Sequence, residues 1–143
     1  DLKRMGLAMP CDDTLEPAPS SPMAQPLHID GLTIGNRYTI HPMEGWDAEA
    51  DGRPSDNTRR RWRNFGLSGA KLIWGGEAVA VRPDGRANPN QLLLNDHTER
   101  EIGAMREGLV AAHREAMGGD DGLVVGLQLT HSGRFCKPND HHK

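Results

Sequence analysis

Hydrophobic positions change their period several times along the chain, and each change marks an element. Leu27 and Ile29 alternate with polar neighbours, Gly31 interrupts, and the pattern resumes through Ile34. This predicts a short hairpin with a glycine-containing turn. Tyr38–His41 is a brief β-prone run stopped by Pro42, the candidate first core strand. Pro54-Ser55-Asp56 supplies helix-start chemistry, with Ser55 or Asp56 as the N-cap of a helix running to Gly66. Ala70–Val81 is Ala, Val, Ile and Leu around a glycine pair, and its first part reads as a strand buried on both faces. Pro83-Asp84-Gly85 signals a turn, and the stretch on to Asn95 reads as loop.

A long helix is predicted from about Asp96 to Met117. Ile102, Met105, Leu109, Ala112 and Ala116 recur at three- and four-residue steps and form one apolar stripe. Asp96 and Glu99 stand at capping-box spacing, and Gly118 and Gly119 supply the left-handed stop. Leu123–Leu129 is again a nearly continuous apolar strand. The order is hairpin, strand, helix, strand, helix, strand. Strands alternating with helices indicate an α/β fold, a parallel sheet covered by helices.

Composition narrows the class. At 143 residues the chain allows one domain, and its 26% charged residues argue against wholesale disorder. Aromatics are 4%, so the core is aliphatic. The longest apolar stretch falls far short of the roughly 20 residues that span a bilayer, and no signal peptide is visible. Two cysteines, Cys11 and Cys136, make no disulfide framework, and a net charge of −3 argues against nucleic acid as the main partner. These features point to a soluble protein of the reducing cytoplasm. Five prolines between Pro10 and Pro26 mark residues 1–26 as a disordered tail, with Met23 a candidate natural start. The chain begins at Asp1 and its last residues are loop-like, so the expectation is a fragment.

Two architectures fit the order of elements. A doubly wound sheet lacks its dinucleotide fingerprint here, because no Gly-x-Gly-x-x-Gly follows a strand. A (β/α)8 TIM barrel needs eight units and about 250 residues. On that reading residues 27–143 are the N-terminal portion of such a barrel, opened by a short β-hairpin. In both architectures ligands gather at the carboxyl ends of the strands. The unusual residues are read there: His41–Trp46 after the first strand, Gly75–Val81 after the second, Gln128–Arg134 at the close of the third.

The set NRYTIHPMEG, GGEAVAVRPDGR and LQLTHSGR, in this order and with these spacers, resembles the old yellow enzyme family of FMN-dependent oxidoreductases. The resemblance spans Leu27 to Asn139. It implies a hairpin-opened (β/α)8 barrel, FMN as cofactor, NAD(P)H as reductant, and an activated alkene as a small-molecule substrate. By the same resemblance Pro42 and Met43 match the step whose backbone lies against the isoalloxazine ring. Ala78 matches the small residue that leaves room for the flavin, and Gln128 the glutamine that bonds its pyrimidine edge. One amide can donate to a flavin carbonyl and accept from the ring N–H. Glu44 stands where the family usually has Thr or Cys, so a carboxylate there opposes a negative reduced flavin unless it is protonated or turned away. His131 falls near the substrate space. The family's substrate-holding pair, proton donor, flavin-facing Arg and phosphate site match nothing in this sequence, so no catalytic residue is assigned.

Other readings carry less weight. Arg59–Arg63 is basic with an interleaved aromatic, but on a helix these arginines spread around the axis while Trp62 and Phe65 pack inward. Cys136, His131, His141 and His142 lack the paired short spacing of a zinc site. Ser132 lacks the Gly-x-Ser-x-Gly context of a hydrolase nucleophile. No metal, nucleic acid or membrane partner is expected, and a homo-oligomer is compatible with the pattern. Two alternatives to a flavoenzyme stay open. One is a truncated, non-catalytic chain that acts by association, and the other is a (β/α) barrel enzyme without flavin.

Overall fold

The computed structural model describes residues 4–6 and 14–139. Strands β1 (Leu27–Ile29) and β2 (Leu32–Ile34) pair antiparallel. Their two-residue turn places Asp30 at φ 48° and Gly31 at φ 81°. Both central residues of this turn type need positive φ, and Asp-Gly is among the pairs that tolerate it best. Ahead of the hairpin, Pro22–Ala24 forms one 3-10 turn, and the Met23 carbonyl accepts from the Arg37 N–H at 3.0 Å.

The main body is a parallel three-stranded sheet in the order β3 (Thr39–Ile40), β4 (Leu72–Ala80), β5 (Val124–Thr130). Helix α1 (Asp56–Leu67) connects β3 to β4, and α2 (Glu99–Met117) connects β4 to β5. The predicted α/β alternation is therefore present, and so is the hairpin before it. Strand β3 is shorter than Tyr38–His41 by a residue at each end: the Tyr38 N–H is taken by the Asn36 side chain at 3.1 Å, and Pro42 has no N–H to extend the ladder. Among the described residues no further strand pairs with the outer edges of β3 and β5. No helix there is long and apolar enough to cross a membrane.

Helix starts follow local hydrogen bonding. The Ser55 hydroxyl caps α1, accepting from the Thr58 N–H at 3.2 Å. The predicted Asp96/Glu99 box does not form. Instead the Asn95 side-chain oxygen accepts from the N–H groups of His97 and Thr98 at 2.9 and 3.1 Å, so α2 begins three residues later than predicted. Gly118 alone, at φ 76°, ends the helix. The stripe buries Ile102, Met105, Leu109 and Ala112, but Ala116 is exposed and His113 is buried in its stead.

That exchange follows from how the helices meet. Trp62, Ile73, Val79, Leu92, Met105 and Leu109 form the centre of the core, with Phe65, Val125 and Leu127 packed on it. Gly66 lets α1 approach α2 so closely that a Cβ there would stand 2.3 Å from the Leu109 carbonyl oxygen. At the same crossing His113 Nδ1 lies 2.9 Å from the Gly66 carbonyl oxygen, and a hydrogen bond forms if Nδ1 carries the proton. The helices cover one face of the sheet. On the other, Trp74 is 55% exposed and lies across Gly126.

The stretch predicted as loop between β4 and α2 carries more structure than expected. The Ala80 N–H donates to the Leu92 carbonyl at 2.9 Å, and the Leu94 N–H donates to the Ala80 carbonyl at 2.8 Å. Leu92 and Leu93 are buried there, at 1% and 3% exposure.

Two glycine substitutions test the helix packing. Gly66→Ala is expected to destabilise the chain by about 1–3 kcal/mol through overpacking. Gly108→Ala, where a Cβ meets nothing within 4 Å, is expected to gain up to about 1 kcal/mol from helix propensity. Urea unfolding followed by circular dichroism reads both, and equal effects would refute the close crossing.

Candidate functional site

The site grows from an irregularity in β4. Trp74 pairs with Gly126, but the next pair is Ala78 with Gln128, so β4 carries two more residues than β5 between these points. Gly75 makes the bulge possible: its φ is 64°, and a Cβ would stand 2.6 Å from the Gln128 backbone nitrogen. Gly75–Val81 thus does not follow the second strand, as the sequence suggests. Gly75 to Ala80 lie inside the strand, which swells and then resumes pairing.

The bulge brings Glu77 into the interior at 1% exposure. Its Oε1 accepts from the Gly45 N–H at 2.7 Å, and its Oε2 from Arg61 Nη2 at 2.6 Å. The same Nη2 donates to Asp47 Oδ1 at 2.8 Å, and Nε to Asp47 Oδ2 at 3.2 Å. The Thr58 hydroxyl adds a hydrogen bond to Asp47 Oδ1 at 2.9 Å, and the Ser55 hydroxyl one to the Asp47 carbonyl. One guanidinium therefore ties the start of α1 to both the bulge and the loop after β3. Gly45 has no room for a side chain: a Cβ would fall 2.0 Å from Arg61 Nη2. The arginine run is thus not uniformly a solvated face. Arg61 is 25% exposed and belongs to this cluster, and Arg59 pairs with Glu101 of α2. Trp62 packs inward at 1% exposure and Phe65 lies half-buried against the core, as their positions predict.

Burial dominates at Glu77 and pushes its carboxyl above the ordinary glutamate value, against the pull of the Gly45 N–H and Arg61. At Asp47 partial burial acts the same way, but hydrogen bonds from Arg61 and Thr58 outweigh it and hold the carboxyl below its ordinary value. Burial also opposes the Arg61 cation, and its two carboxylate partners outweigh that too.

Four of the six residues singled out from the sequence meet at this rim. Met43 is 70% exposed, but its carbonyl accepts from the Ala78 N–H at 3.1 Å. Ala78, 8% exposed, is the register partner of the exposed Gln128. Pro42, half-buried, precedes Met43. The Ala78 carbonyl accepts from Gln91 Nε2 at 3.0 Å, so both its backbone groups are engaged. Glu44 has turned to Trp46, whose indole N–H donates to it at 2.9 Å. His131, just past the end of β5, lies against Gly85, with Nδ1 accepting from the Gly133 N–H at 3.0 Å. A cleft of about 510 Å³ opens beside β3, lined by residues including His41, Met43, Gly45, Arg61 and Phe65.

Sequence reasoning misses Glu77, Arg61, Asp47 and Gln91 as members of the site. The signal for Glu77 is a lone carboxylate behind two glycines in an aliphatic run. Arg61 has no such signal, being one of four arginines in five residues. Among the described residues no group of three His, Cys, Asp or Glu is placed to hold a metal ion. Cys11, His141 and His142 lie outside those residues.

No protein-family model matches the chain, and no curated protein matches it. Solved structures do. The old yellow enzyme from Pichia sp. AKU4542 is similar over 84% of this chain and 29% of its own, with TM-score 0.61 and 19% identity. The old yellow enzyme from Trypanosoma cruzi is similar over 80% and 28%, with TM-score 0.59 and 25% identity. The likeness is one of fold, and the chain spans under a third of the length of either structure.

The ionic cluster predicts an acid response. Because the folded state depresses the Asp47 pKa, its stabilisation is present above the ordinary value of 3.8 and is lost as pH falls through the folded value. Glu77, raised, has the opposite sign and offsets part of that loss. Asp47→Asn should therefore lose less stability than the parent chain between neutral pH and pH below 3.8. Urea midpoints across that range read the difference, and parallel curves would remove Asp47 from the account.

Proposed function

We propose that this chain is the N-terminal part of a (β/α)8 FMN-dependent oxidoreductase of the old yellow enzyme type. In this reading the Met43–Ala78–Gln128 rim holds one edge of the flavin. The observation that carries it is that juxtaposition. Residues far apart in sequence, each matching a flavin contact by resemblance, meet through one hydrogen bond and one register pair. The fold-level likeness to old yellow enzymes supports the same reading.

The residues fit one edge of such a cofactor. Ala78, its N–H and carbonyl already engaged, adds only a methyl group to the rim. The exposed Gln128 carboxamide offers a donor and an acceptor together. Glu44 lines the cleft beside Met43 and accepts from the Trp46 indole N–H, a bond that draws part of its charge away from a negative ring. When bound, FMN supplies the hydride relay between NAD(P)H and an activated alkene. The contribution of this chain is to bind and orient the ring, not to supply the substrate's proton. His131 is proposed as substrate-proximal only by resemblance.

A second reading, a non-catalytic chain acting by association, draws on the half-exposed Trp74 and the 57%-exposed Leu129, and on the outer edges of β3 and β5, which no strand pairs among the described residues. Titration with FMN, followed by quenching of flavin fluorescence, separates the two. The flavin reading expects saturable binding that Gln128→Ala weakens by roughly tenfold, about the worth of one hydrogen bond. Binding that ignores Gln128→Ala would move the site elsewhere, and no binding at all would favour association.

A further inference from the structure

The loop from His41 to Asp47 contains Pro42 and Gly45 and no regular structure, so local propensity does not set its place. It is fixed to the sheet at two backbone points, the Met43 carbonyl and the Gly45 N–H, and their partners are the consecutive bulge residues Ala78 and Glu77. An unbroken aliphatic strand would bury the same volume without a desolvated carboxylate. Replacing a buried ion pair by apolar residues is often neutral or stabilising, so net stability does not account for this pair. What the pair supplies is geometry. Arg61 reaches Glu77 and Asp47 from a single nitrogen while Nε holds the second Asp47 oxygen, a planar fork that an ammonium cannot reproduce.

We propose that Glu77 and Arg61 are positioning residues, a clamp that sets the height of the Met43–Gly45 backbone over the rim and so the fit of the ligand bound there. The inference rests on the reading that this rim is a ligand-binding edge. Neither side chain is assigned contact with the ligand. Each acts through the loop: Glu77 through the Gly45 amide, and Arg61 through Glu77 and Asp47.

The test uses the full chain, the variants Glu77→Gln and Arg61→Lys, and two readouts, amide hydrogen exchange and FMN affinity. Glu77→Gln keeps the shape but leaves one acceptor oxygen for two donors, so the guanidinium takes it and an amide NH2 is turned toward the Gly45 N–H, while Arg61→Lys keeps the charge and loses the fork. In both, exchange at the Gly45 amide should accelerate by roughly tenfold more than at Leu109 in the core of α2, as for loss of one buried hydrogen bond. FMN affinity should fall by a similar factor. Equal acceleration at Gly45 and Leu109 would mean a general loosening of the fold and would overturn the clamp. An unchanged Gly45, or wild-type affinity in Arg61→Lys, would overturn it as well. Should Glu77→Gln fail to fold, Arg61→Lys decides alone. If the parent chain takes no FMN, the flavin reading falls, and the clamp stands or falls on the Gly45 exchange rates.

Discussion

A single carboxylate in the middle of an aliphatic strand organises this molecule. Burying Glu77 without partners would cost several kcal/mol, so the chain has to bring a cation and a donor to it. The cation comes from α1 and the donor from the loop after β3. These demands reach far in sequence. Gly45 has to be glycine because Arg61 passes through the space its side chain would take. Gly75 has to be glycine because the bulge that turns Glu77 inward brings two backbones together at positive φ. The cap of α1 belongs to the same set, since Ser55 and Thr58 both bond Asp47, the second carboxylate on the guanidinium.

The regular elements are legible in the sequence because periodicity reports on burial, and burial makes them. The α2 stripe can be read this way, whereas the hairpin, with Ile29 and Leu32 about half exposed, is marked by its Asp30-Gly31 turn. Element ends are less legible because they are decided by competing hydrogen bonds. Asp96 reads as the start of α2, but the Asn95 side chain takes the His97 and Thr98 amides into a turn of its own and the helix begins at Glu99. Likewise Ala116 and His113 both fit a helical face, and the close approach at Gly66 selects the histidine.

The candidate site is half legible for a related reason. Motifs that carry a recognisable residue order, such as the Pro-Met step and the strand that carries Gln128, can be matched by resemblance. The groups that hold those motifs in place cannot, because an ion pair between positions 61 and 77 has no local signature. Gln91 is hidden in the same way, reaching back to the Ala78 carbonyl from a stretch that reads as featureless loop. His131 is placed by a contact of the same long-range kind. It belongs to the linear motif, and the turn after β5 sets its ring against Gly85, in the segment that follows β4.

The three tryptophans occupy three distinct environments. Trp62 is sealed in the core at 1% exposure, Trp46 sits at positive φ beside the rim loop, and Trp74 lies half-exposed across Gly126 on the bare face of the sheet. The molecule therefore carries its own optical labels, one each for core, rim and open face. Whatever covers that face will move the emission of Trp74 to shorter wavelength and leave that of Trp62 where it is.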